Sequence, residues 1–116
     1  MKYKPFIQYH DNINKFKRRW VVYSFVMQII NEYYKIPFKQ RSTYQILLLI
    51  HKHLSFLDIK LFKSKAHYYF VLAAVCDKLI YLLSNEHPSE PSGHRIEEMY
   101  AYIEEFEIID EKQWIG

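Results

Sequence analysis

The chain has 116 residues, half of them apolar, with only two glycines, four prolines and a single cysteine. One domain of about 13 Å radius of gyration fits that length, with core enough to fold without metal or disulfide. Scarce turn residues disfavour sandwiches and barrels, the lone Cys76 excludes an internal disulfide, and its apolar surroundings read as a buried reduced thiol. The net charge of +3 conceals a division. Residues 1–65 carry 13 Lys and Arg against Asp11, Glu32 and Asp58, whereas residues 66–116 carry three against ten acids. Such halves neutralise each other inside one fold or face different partners.

The first predicted element is a helix over Asn14–Lys35. Ile13, Phe16, Trp20, Tyr23, Met27, Ile30 and Tyr34 follow steps of three and four, which is one helical face. Val22, Val26, Ile29 and Tyr33 form a second stripe beside it. Asp11 or Asn12 is the expected cap, and Pro37 the expected stop, since a residue before proline avoids helical angles. Lys15, Lys17, Arg18 and Arg19 crowd the start of this helix. They would contact phosphates, with aromatic rings nearby for stacking, or, since positions 15, 18 and 19 fall opposite much of the apolar stripe, form the helix's solvated side.

Ser42-Thr-Tyr-Gln45 has the form of a capping box opening a second helix through Ile46, Leu47, Leu49, Ile50 and Leu54. Ser55–Asp58 reads equally as a break, a short helix or a continuation. Ser64 is placed to cap a helix over about 65–85 that is apolar on nearly every side, the pattern of a central bundle helix. Asn85–Gly93 is the clearest loop. A last helix, about 94–107, puts Ile96, Met99, Tyr100, Ile103 and Phe106 on one side and glutamates over much of the rest. These elements predict a single all-α domain, a compact bundle of four to five helices over residues 1–116.

Chemistry-bearing motifs are missing. Phosphate loops, nucleophile elbows and paired Glu–His motifs do not occur, and the six histidines lack ligand spacing. His51 and His53 lie about 200° apart around a helix. No enzyme activity, cofactor or metal is therefore expected. The longest apolar runs, Trp20–Met27, Ile46–Ile50 and Tyr68–Cys76, fall short of the ~20 residues of a membrane span. No signal peptide is evident, so a cytoplasmic protein without a membrane partner is expected.

The reading favoured by this profile is a module that binds and occludes a partner protein, of the immunity or antitoxin type. Its target would be a toxin such as a basic nuclease. The expected binding face is the last helix, with Glu97, Glu98, Glu104 and Glu105 steering and Tyr100, Tyr102 and Trp114 anchoring. The alternative is a nucleic-acid-binding accessory protein that uses Lys15, Lys17, Arg18 and Arg19. Self-association of acidic half on basic half is a third arrangement open to such a chain.

Overall fold

A computed structural model describes residues 4–84 and 96–105, with side chains from residue 13 onward. Every regular element in them is helical, as the sequence predicts. The order is α1 (Lys4–Lys35), two short 3-10 turns between α2 (Thr43–His53) and α3 (Lys65–Ser84), and α4 (residues 96–105). The bundle is drawn out along α1, with extents of 59 × 23 × 18 Å.

Helix α1 begins ten residues before the expected start, so Asp11 and Asn12 lie inside it rather than at its first turn. Pro5 stands in its first turn, where the absent N–H removes no helical hydrogen bond. At the other end Pro37 stops the helix as predicted, with ψ at 139°. Arg41 then turns back on the orphaned carbonyls of that end. Its Nε donates to the Ile36 oxygen at 2.8 Å and Nη2 to the Tyr34 oxygen at 3.1 Å. The guanidinium also lies over the Tyr34 ring, 4.9 Å from its centroid. A cation at a helix C-terminus is favoured by the dipole as well as by these bonds.

Ser42 caps α2 as its sequence suggests, its hydroxyl accepting from the Gln45 N–H at 3.3 Å. Ser55–Asp58 turns out to belong to a pair of 3-10 turns, Leu54–Phe56 and Ile59–Leu61. Asp58 caps the second by accepting from the Lys60 N–H at 3.0 Å. This segment lies along α1 and feeds Leu57 and Phe62 into the core.

The core face of α1 is the second stripe, extended by Phe25 and Ile30. Val22, Phe25, Val26, Ile29, Ile30 and Tyr33 are buried against Ile46 of α2, Val71, Val75 and Leu79 of α3, and Met99 and Ile103 of α4. Each such side chain removed from water contributes about 1.5–3 kcal/mol. Phe16 and Trp20, placed by spacing on the apolar face, instead stand 71% and 63% exposed. The reason is reach: the buried apolar stripe of α1 begins only at Val22.

A polar node joins α1, the 3-10 segment and α3. His67 is wholly buried, and its Nδ1 accepts the Lys63 N–H at 3.0 Å. That bond requires a neutral ring with its proton on Nε2. The His67 backbone N–H donates in turn to the Ser64 hydroxyl at 3.0 Å, the predicted cap of α3. Phe62 packs edge-on to both His67 and Tyr68, with centroids 5.6 and 5.2 Å apart. Arg18 closes the node from α1, its Nη1 donating to the Leu61 carbonyl at 2.9 Å and its guanidinium 6.0 Å from the Phe62 centroid.

Helix α3 is less enclosed than its composition suggests. His67, Val71, Val75, Leu79, Leu82 and Leu83 form one buried stripe, while Tyr69, Phe70 and Tyr81 face outward. Its 20 residues reach a mean hydropathy of 1.4 in an 18-residue window, of which a third is buried. By length and composition this helix is sufficient to cross a bilayer. Counting uninterrupted apolar runs understated it, because Asp77 and Lys78 break the run without much lowering the average.

Candidate functional site

The acidic helix is docked rather than free. Helix α4 runs antiparallel to α1, with Tyr100 edge-on to Tyr23 at 4.9 Å and Glu104 one turn further along against Arg19. One Glu104 carboxylate oxygen accepts from both the Tyr23 hydroxyl and Arg19 Nη2. The Tyr23 hydroxyl and then Arg19 hold the Glu104 carboxyl below its ordinary range. Burial, followed by the Glu104 contact, raises the Tyr23 phenol. On the other flank of α4, Tyr102 lies under the Lys78 ammonium at 5.2 Å.

The seven residues expected to meet a partner are thus divided. Glu97 and Glu105 are exposed, and Glu98 is half-buried. Tyr100, Tyr102 and Glu104 are half-buried and engaged within the bundle. Trp114 lies outside the described residues, as do Phe106 and the Asn85–Gly93 loop.

The basic cluster is divided in the same manner. Arg18, expected on a solvated face, is only 5% exposed. No carboxylate among the described residues pairs with it, and its buried Nε has no hydrogen-bond partner there. Arg19 is held by Glu104, and Lys15 is half-buried. Lys17 alone of the four is fully exposed. The cause is helical geometry: residue 18 precedes Val22, Phe25 and Ile29 on the inward stripe.

Glu32 forms a second tie, between α1 and α2. It accepts from Lys52 Nζ at 2.6 Å and contacts His53 Nε2. Lys52 first and His53 second hold its carboxyl below the ordinary value of 4.5. Glu32 and Glu104 therefore have folded-state values below their unfolded ones, and each contributes stability above pH 4.5 that is lost as pH falls through the folded value. Urea unfolding followed from pH 7 to pH 3 should show a steep acid limb. Glu104→Gln should flatten that limb, and an unchanged limb would assign the acid sensitivity elsewhere.

Nucleophile and metal chemistry find little support here. Burial, with Asp77 adding to it, pushes the Cys76 thiol up to about 11, which keeps it protonated at neutral pH. Among the described residues no group of three or more His, Cys, Asp or Glu is arranged to hold a metal ion.

Exposed apolar side chains gather on two further surfaces. The outer side of α2 carries Tyr44, Leu47 and Leu48 at helical spacing, with Tyr44 67% exposed and both leucines nearly half exposed. The signal was obscured because residues 46–50 are apolar without interruption, so the inward Ile46 and outward Leu47 look alike. The second surface is an open groove of about 300 Å³ on the outside of α1. Phe16, Lys17, Trp20, Val21 and Leu61 line it.

Comparison of the chain with protein-family models, curated proteins and solved structures finds no match.

Proposed function

We propose that this protein is a non-enzymatic helical module that acts by covering part of a partner protein, in the manner of an immunity or antitoxin protein. One observation carries the reading: α2 presents Tyr44, Leu47 and Leu48 as an apolar stripe that its own bundle leaves uncovered. An aromatic ring flanked by leucines at i, i+3 and i+4 is the geometry with which a helix enters a partner's groove. Tyr brings large contact area at small entropic cost. Among the described residues of α4, Glu97 and Glu105 are exposed and would speed encounter with a basic partner such as a nuclease, acting mainly on the association rate.

Affinity capture from the native lysate, with and without nuclease treatment, supplies the partner, and titration with the purified partner supplies the test. Leu47→Lys lies on the solvent side and should leave the fold intact. It should weaken binding by a hundredfold or so, the loss typical of a buried hot-spot residue. Glu97→Lys with Glu105→Lys should lower the association rate and its salt dependence. Binding indifferent to Leu47→Lys, or proteins that leave the bait once nucleic acid is digested, would defeat this reading.

A further inference from the structure

We propose that the outer face of α1, with the neighbouring 3-10 segment, docks reversibly on an anionic phospholipid surface. Phe16 and Trp20 are one helical turn apart and stand among the most exposed large apolar side chains of the described residues. They border the groove whose floor, Val21 and Leu61, is aliphatic. The charge among its lining residues is that of a lysine. Lys17 lies in the groove wall, and Lys60 and Lys63 stand one and two residues from Leu61 in sequence. All three are exposed, and none makes an ion pair among the described residues. Asp58, three residues before Leu61 and exposed, is occupied in capping the 3-10 turn.

That combination selects its occupant. Trp and Phe rings settle at the boundary of headgroup and acyl chain, and lysines above them meet anionic headgroups as flexible point charges. Each such lysine strengthens adsorption by roughly fivefold. Nucleic-acid recognition through planar arginine forks is not open to this face, since Arg18 and Arg19 are engaged within the bundle, and base stacking on Phe16 and Trp20 is the outcome that the oligonucleotide arm of the test would reveal. This surface is distinct from the α2 stripe, so either assignment stands or falls without the other.

The test is co-sedimentation with vesicles of phosphatidylcholine alone and of phosphatidylcholine with phosphatidylserine. A Trp114→Phe background leaves Trp20 as the sole tryptophan reporter. Binding should require phosphatidylserine, fall steeply with salt, and shift Trp20 emission to the blue. Phe16→Ala with Trp20→Ala, read by sedimentation, should weaken partition more than tenfold. Replacing Lys17, Lys60 and Lys63 by Gln should weaken it about a hundredfold. These side chains are exposed, so circular dichroism should show each variant folded. Binding without dependence on phosphatidylserine, or an unshifted Trp20 emission, overturns the proposal. So does displacement of the vesicles by a single-stranded oligonucleotide, which would assign the face to nucleic acid. Protein that stays with the bilayer through high salt and carbonate would assign the contact to insertion of α3, and overturns surface docking too.

Discussion

Truncating His67 to alanine is expected to destabilise the fold by about 2–4 kcal/mol, the largest loss from any single polar side chain here. Three effects coincide at this residue. Its ring is wholly buried against Phe62, so alanine leaves a cavity between α3 and the 3-10 segment. Its Nδ1 is the acceptor for the Lys63 N–H, and that donor is orphaned when the ring is removed. The third effect is on the start of α3, where Ser64 and His67 together fix the entry of the chain. His67→Gln, which keeps an acceptor of similar reach, should recover part of the loss. Urea unfolding measures both. A loss below 1 kcal/mol for the alanine variant would show that the node does not hold these elements together.

Arg18→Met, by contrast, is expected to stabilise the protein, by about 1–3 kcal/mol. Arg18 is a nearly buried cation whose compensation is a single carbonyl and the face of one ring. Desolvation of a guanidinium costs several kcal/mol, and no carboxylate among the described residues returns it. Methionine keeps the length and apolar stem that pack on Phe62, which is why alanine is the wrong comparison: it would lose that packing as well. Chemical denaturation at neutral pH decides the matter. A destabilised methionine variant would mean that the Leu61 contact outweighs the buried charge.

Much of the architecture was legible because it rests on local rules. Pro37 had to stop α1, Ser42 and Ser64 were placed to cap, and Met99 and Ile103 had the spacing of an inward face. What stayed hidden depends on how far neighbouring elements extend. Two apolar stripes on α1 had helical spacing, and Phe16 and Trp20 belong to the N-terminal part of one whose later members, Tyr23 and Ile30, do reach the core. Arg18 was readable in principle, since steps of four, three and four from residue 18 lead through Val22, Phe25 and Ile29. Its three charged neighbours masked that register. The acidic face of α4 was legible as charge alone, and only the docked helix shows that Glu104 has a counter-ion in Arg19.

The two ties on α1 also impose an order on folding. Glu32 to Lys52 closes a loop of 20 residues, whereas Arg19 to Glu104 closes one of 85. The longer closure costs roughly 1.3 kcal/mol more in chain entropy, which favours early pairing of α1 with α2. Helix α4 then returns to a platform already in place. Contacts this distant in sequence raise the contact order, which slows folding for an all-helical chain. The opposite charges of the two halves offset some of that delay, drawing the late helix to its seat before its apolar side chains make contact.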